Sequence, residues 1–321
     1  MDSTHIKAIK HEKTTVVERT PKAYLKELDE TIGRDRKEPG KKPFDQKDDD
    51  DPLPTREIQQ SKSEPDSGQL HKEGKLDGFH YSEHRTVDSK HNIMVNVRIT
   101  LSNVKYVEPV AEIFKDIEKR LGKQPKYMGL EAGYHNALVC RQLASAGIQP
   151  VVGYRRHTHT GNYFGKYRFS YDPIENVCLC PQGHELTWRT TNREGYREYW
   201  SESRTYINCP KRAKCFSAKS SRRQVTRHVW QSAFERADAF TKTSNGKRIY
   251  TWRKETIERS FTEAKELYGL RYACMLGIHD MYEQSFLTAA VQNMKRIARA
   301  FPFFICMRGC FLLETAPLSA V

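Results

Sequence analysis

Apolar and polar residues alternate from Gly78 to Val104, and this pattern predicts a β-hairpin. GFHYSEHRTVD and HNIMVNVRITLSNV both carry a period of two, with turn chemistry in Asp88-Ser89-Lys90 between them. Downstream, Val107, Val110, Ile113, Phe114, Ile117 and Leu121 recur at helical spacing and stop at Gly122. Lys126 to Leu130 reads as a short buried strand, Asn136 to Ala146 as a helix closed by Gly147, and Gln149 to Tyr154 as another strand. That order is an α/β layout. Residues 155–225 break the rhythm with aromatics and clustered cysteines, and predict an insertion with its own small sheet. Two helices follow, Lys254 to Tyr268 and Asp280 to Arg299. The second carries apolar Phe286, Ala289, Ala290, Met294 and Ile297. Thr20 to Gly74 is charged and proline-punctuated, with an acidic run at Asp48 to Asp51. It predicts a linker or loosely ordered insertion holding one helix near Lys22–Ile32.

Charge sharpens this picture. The 321 residues include 54 Lys+Arg against 40 Asp+Glu, a net +14, and such an excess favours a polyanionic partner, nucleic acid first. A hydrophobic fraction of 37% is low and predicts that part of the chain is poorly packed. MDSTHIKAIKHEK is too polar for a signal peptide, and the apolar run Phe301 to Leu313 is too short to span a bilayer and contains Arg308. The expectation is a soluble, intracellular protein without a membrane partner. G-x-S-x-G, P-loop and dinucleotide motifs are absent from the sequence.

The candidate chemistry begins with YTWRKETIERSFTEAKELYGLRY. It sets Glu258 among Arg253, Lys254, Arg259, Lys265 and Arg271. A carboxylate in a basic helical face suits a site where the acid holds a divalent cation and the bases hold a nucleic-acid backbone. An ordinary surface helix with i,i+4 charge pairs accounts for the same residues. Arg155, Arg156, His157 and His159 follow the strand ending at Tyr154. With Lys166, Arg168, Arg222, Arg223, Arg227 and His228 they make a candidate DNA-tracking surface. Cys178, Cys180 and His184, then Cys209 and Cys215, form two ligand-rich knuckles. Cys180, Cys209 and Cys215 with Cys178 or His184 are a candidate structural Zn²⁺ set, against four buried reduced cysteines.

DSTHIKA at Asp2–Ala8, GFHYSEHRTVDSKHNI at Gly78–Ile93, GLEAGY at Gly129–Tyr134 and RKETIERSFTEAK at Arg253–Lys265 occur in an order that resembles the DDE transposases of bacterial insertion sequences. VVGYRR, TTNREGYREY and VTRHVW fit the same resemblance. It implies an RNase H-like fold: a mixed sheet flanked by helices, with the cysteine-containing β-rich insertion before the last catalytic helix. It further implies three carboxylates, Asp2, Glu131 and Glu258, holding two Mg²⁺ or Mn²⁺ ions for in-line phosphoryl displacement. Arg253, Arg259, Lys265, Arg155 and Arg156 become DNA contacts. The partners become element-end and target DNA, with a homodimer on paired ends and a cytoplasmic, nucleoid-associated location in a bacterium. Asp88 in the hairpin turn and Glu64 are alternative first acids, read instead as a turn residue and a solvated loop acid.

Read this way, the chain divides into residues 1–77 (first acid and linker), 78–154 (RNase H-like core), 155–225 (insertion), 226–300 (catalytic helices) and 301–321 (an atypical tail). Three features depart from the family pattern. Asp2 has a single residue before it, which predicts an N-terminal truncation. Glu131 stands where the family usually has aspartate, moving the carboxylate by roughly 1.5 Å, and misplacement on that scale costs on the order of 10²-fold in rate. TLSNVKY lacks an aspartate that relatives often carry. The alternatives to a working transposase are a catalytically dead DNA-binding remnant and a DDE-like nuclease without transposition.

Overall fold

The computed structural model describes residues 1–9, 13–19, 23–42, 44, 55–71, 77–153, 162–204, 209–216, 220 and 222–300. The chain divides into two units. The first comprises residues 1–17, 57–153 and 237–321, the second residues 18–56 and 154–236.

In the first unit the long strand β5 (Gly78–Val87) is the spine of a six-stranded sheet. It pairs antiparallel with β1 (Asp2–Lys7) in the register Asp2↔Arg85 to Lys7↔His80. On its other side it pairs antiparallel with β6 (Met94–Leu101), the second arm of the predicted hairpin. β2 (Lys13–Arg19), β3 (Thr55–Ser61) and β4 (Gly68–Leu70) complete the sheet. Flanked on both edges, β5 is buried almost throughout. Alternation sends Phe79, Tyr81, Glu83 and Arg85 to one face and His80, Ser82, His84 and Thr86 to the other.

The first face of β5 meets the apolar core. Phe79 and Tyr81 pack there with Ile6, Ala8, Val97, Ile99, Ala264, Leu270, Met281 and Ala289. The last four come from the C-terminal part of the chain, where α5 (Ser244–Arg253), a π-helical turn (Lys254–Glu258), α6 (Arg259–Leu267) and α7 (Ile278–Ala300) follow one another. Thr243 caps α5 by accepting from the Gly246 N–H at 3.1 Å. The helix therefore starts about three turns before the Lys254 start predicted from hydrophobic periodicity, which α5 lacks. Within this face Arg85 and Glu83 form a fully buried ion pair at 2.5 Å. Arg85 Nη1 also donates to Ser260 Oγ (2.5 Å) and Gln292 Oε1 (3.0 Å), and Ser285 Oγ donates to Glu83 Oε2 (3.2 Å). This network ties α6 and α7 to β5.

α2 (Val110–Leu121) ends at Gly122 in the left-handed conformation (φ 62°), as the sequence predicts. β7 (Tyr127–Leu130) and β8 (Gln149–Val152) pair in parallel, joined by α3 (Ala137–Ser145). Two hydrogen bonds join the beginning of β1 to β7: Met1 N donates to Gly129 O at 2.6 Å, and Glu131 N donates to Met1 O at 3.3 Å.

The second unit holds a five-stranded antiparallel sheet in the order β13-β12-β11-β10-β9, made of Gln224–His228, Tyr196–Ser201, Glu185–Thr191, Val177–Leu179 and Ser170–Asp172. α1 (Ala23–Lys37) belongs to this unit. Asp35 accepts from Arg197 Nε at 2.9 Å and from Thr191 Oγ1 at 2.5 Å, and Leu28 and Ile32 are buried. The segment expected to be a coreless linker thus supplies a docked helix and two strands of the first unit's sheet. Charge-assisted bonds to buried partners replace the apolar contacts that its composition lacks. The tail 301–321 and the acidic run lie outside the described residues.

Candidate functional site

Strand periodicity places Asp2, Thr4 and Ile6 on one face of β1 and Ser3 and His5 on the other. Asp2 is buried, 6% exposed. Its Oδ1 accepts the Ser3 N–H at 2.8 Å, and its Oδ2 accepts from Arg253 Nη1. The second terminal nitrogen of Arg253 lies 3.7 Å from Glu258 Oε1. Ser3 Oγ donates to Glu131 Oε2 at 3.3 Å. The three acids named from the sequence therefore belong to one contact network, with Arg253 between two of them and Ser3 beside the third.

The π turn gives the Arg253–Glu258 approach a local cause. In an α-helix, residues five apart diverge by about 140° around the axis. Over Lys254–Glu258 the bonds instead run i→i+5, which brings Arg253 and Glu258 toward one face. Glu258 keeps a 60% exposed side chain while Arg253 is 5% exposed. Arg253 was expected on a DNA-contacting face; the structure instead buries it against Asp2. Arg259 is exposed, and Lys265 is half-buried, its pKa lowered by desolvation and then by Arg271.

Close backbone approach completes the site. A Cβ on Gly153 would lie 2.3 Å from the Tyr250 hydroxyl and 3.1 Å from the Ala132 nitrogen, and one on Gly133 would lie 2.3 Å from the Tyr106 ring. Only glycine lets Tyr250 and Tyr106 close on the turn after Glu131. Arg253 itself crosses β7 at Gly129, where a Cβ would stand 3.2 Å from its own Cβ. Sequence reasoning passed over these contacts. The signal available for them was the glycine spacing in GLEAGY and VVG.

Tyr106 and Tyr134 stack with ring centroids 5.3 Å apart. Burial, then the negative charges of Glu131 and Asp2, holds the Tyr134 hydroxyl well above its ordinary pKa, and burial likewise raises that of Tyr106. Both are neutral phenols at physiological pH. Tyr134 Oη lies 2.5 Å from His84 Nδ1. Burial and then Arg98 push the His84 pKa down to about 4, so its imidazole is neutral and accepts this bond.

The alternative first acids stand elsewhere. Asp88 caps its turn, accepting from the His91 N–H at 2.8 Å and the Lys90 N–H at 3.2 Å. Glu64, read from sequence as a solvated acid, is fully buried: it accepts from Ile9 N (2.8 Å) and from the Tyr81 hydroxyl (3.1 Å). A structural hydrogen-bonding role explains its burial.

In the second unit Cys178, Cys180, Cys209 and Cys215 pack with Leu186, Tyr199, Phe216 and Val225. Cys180 Sγ accepts the N–H groups of Gln182 and His184, each at 3.3 Å. Of the basic candidates there, Arg223 donates to the carbonyls of Cys215 (2.9 Å) and Phe164 (2.6 Å), and Arg227 pairs with Glu235. Both serve the fold of their unit. Arg155, Arg156, His157 and His159 lie outside the described residues.

Three carboxylates are an all-oxygen donor set, the chemistry that suits Mg²⁺ or Mn²⁺. Asp2, Glu131 and Glu258 fit such an ion in kind, and the Arg253 guanidinium already supplies positive charge between Asp2 and Glu258. Among the described residues no group of three His, Cys, Asp or Glu side chains is gathered in metal-holding geometry.

Residues 179–298 match a family described as a transposase DDE domain. The match covers Cys180, Cys209, Cys215, Arg253, Glu258 and Lys265, while Asp2, Glu131 and Cys178 precede it. It supports a DDE transposase. No curated protein and no solved structure matches the chain. Among the described residues, no helix is long and apolar enough to cross a membrane.

Proposed function

We propose that the chain is a DDE-type transposase of a bacterial insertion sequence, cutting and rejoining DNA phosphodiesters at a site made by Asp2, Glu131 and Glu258. The observation that carries this reading is the contact network itself. Asp2 on the first strand and Glu258 in the π turn of a late helix both approach Arg253, and Ser3 bonds both Asp2 and Glu131, although these residues are far apart in sequence. The strand arrangement supports an RNase H-like core: β6 and β5 antiparallel, β1 beside β5, and the start of β1 beside the parallel pair β7–β8.

Asp2, Glu131 and Glu258 would hold Mg²⁺ or Mn²⁺, which when bound supplies charge stabilisation to the attacking and leaving oxygens. The chain's own residues do the rest. Glu258 presents its carboxylate at the surface, where a DNA backbone arrives. Lys265, two helical turns further on, would meet a phosphate, and the net +14 charge would draw the polyanion in. Buried Asp2 is held in orientation by Ser3 and Arg253. Element ends and target DNA are the partners, with a homodimer pairing two ends.

The test is Mg²⁺-dependent nicking and joining of DNA carrying the element's ends. Asp2→Asn, Glu131→Gln and Glu258→Gln should each abolish both while leaving salt-sensitive DNA binding intact. Unchanged nicking in all three would refute the assignment, and cleavage without joining would make the protein a nuclease. One observation favours a second reading, a DNA-binding remnant: Arg253 already neutralises Asp2. On that reading the chain binds DNA but nicks none with either metal, and Glu131→Asp restores nothing.

A further inference from the structure

We infer that Ser3 is a positioning residue for Glu131, fixing its carboxylate relative to Asp2. This inference rests on the three-acid reading. Ser3 touches both acids through different groups. Its backbone N–H donates to Asp2 Oδ1 at 2.8 Å, and its hydroxyl donates to Glu131 Oε2 at 3.3 Å. One strand residue thereby sets the separation of two carboxylates that the sequence places 129 positions apart.

Ser3 is itself held, paired with His84 across the β1–β5 ladder. Tyr106 and Tyr134 stack beside the turn that carries Glu131, with ring centroids 5.3 Å apart. Tyr134 in turn donates to neutral His84 Nδ1 at 2.5 Å, and His84 Nε2 donates to Thr100 Oγ1 at 2.9 Å, anchoring the phenol to β5 and β6. Tyr106 reaches His5 Nε2 at 3.2 Å, and His5 Nδ1 lies 3.0 Å from Ser82 Oγ. The Tyr106 ring occupies the space that the missing side chain of Gly133 leaves open. Both phenols are therefore fixed by histidines on strands.

This arrangement answers the extra length of glutamate. Glu131 has one more rotatable bond than aspartate and so more rotamers to lose on engaging a cation. A hydrogen bond to one of its oxygens, from a donor with no freedom of its own, removes part of that cost in advance. Partners behind metal-ligating carboxylates act in the same way, and losing one typically weakens metal affinity 10–100-fold.

Calorimetric titration of the full chain with Mn²⁺ tests the inference without relying on turnover. Ser3→Ala should weaken Mn²⁺ binding about ten-fold. Ser3→Thr, which keeps the hydroxyl, should retain it. In a Glu131→Gln background, Ser3→Ala should cost nothing further. Equal losses in both backgrounds, or no loss in either, would overturn the positioning role. Ser3→Cys keeps the size of the side chain and leaves only a weak S–H donor, so a similar loss is expected there, and it decides the matter even if Ser3→Ala does not fold. DNA nicking, followed separately, isolates the underlying reading. Coupled Mn²⁺ binding without nicking leaves the positioning role standing and removes the transposase chemistry. Nicking without coupling does the reverse, and a wild-type chain that binds no Mn²⁺ removes both.

Discussion

Arg253 and Asp2, 251 positions apart in the chain, form a buried ion pair in which the side chains are 5% and 8% exposed. Neither charge has enough water to stand alone. The guanidinium also approaches Glu258, so one cation serves two of the three candidate ligands. A divalent ion binding there would meet acids already oriented around positive charge, and it would have to compete with that charge.

Arg253→Gln should therefore destabilise the chain by about 3 kcal/mol, because it strands the Asp2 carboxylate in the interior. Urea unfolding measures the loss. Added Mn²⁺ should raise the Tm of the variant by more than that of the wild type, since the ion replaces the missing charge and stabilises by mass action. Equal shifts in the two proteins would contradict the idea that cation and guanidinium share a place.

Gly153→Ala sets a methyl group 2.3 Å from the Tyr250 hydroxyl and 3.0 Å from its Cζ. Overpacking of this kind costs about 1–3 kcal/mol. Tyr250→Phe in the same chain should recover part of it, because the nearest clashing atom is gone. Chemical denaturation of the two single variants and the double variant reads the coupling.

His84 makes stability depend on pH. Its folded pKa of about 4 lies below the ordinary 6.5, so the unfolded chain takes up a proton at higher pH than the folded one. The stabilisation is fully present above pH 6.5. It is lost as pH falls from 6.5 to 4, by about 3 kcal/mol in all. His84→Gln should flatten this part of the pH–stability curve, as measured by thermal unfolding at pH 7, 5.5 and 4.

Removing one member of the Glu83–Arg85 pair should be among the most damaging changes in the first unit. Both side chains are 0% exposed. Arg85→Met leaves Glu83 charged and buried, at a cost of about 3–5 kcal/mol. Glu83→Gln added to Arg85→Met should return part of that loss, because the orphaned charge goes with it. Denaturant midpoints of the three variants provide the check.

The hairpin, α2, β7, α3 and β8 were legible because their apolar residues follow the period of the element they form. β1 was not. DSTHIK has one large apolar residue, and its polar side chains are satisfied by Ser82, Tyr106, Glu131 and Arg253, partners that no local pattern announces. α5 escaped for a related reason, since SNGKRIYTWR carries no clear stripe and its start is set by the Thr243 cap. Asp2 and Glu131 were named through the resemblance of their flanking motifs, and Glu258 first from the basic residues around it. Arg253 was assigned to DNA because a basic residue on a helix ordinarily faces solvent. The π turn that redirects it leaves no trace in hydrophobic periodicity.

The distribution of the acids along the chain also governs when the site comes into being. Asp2 emerges from the ribosome before Glu131, and Arg253 and Glu258 emerge after both. Contacts of such long sequence separation form slowly and after local ones. β1 can pair with β5 while the C-terminal helices are still unmade, but the ion pair that orients Asp2 waits for them. A nascent chain is thus without this contact network until Arg253 and Glu258 have been translated.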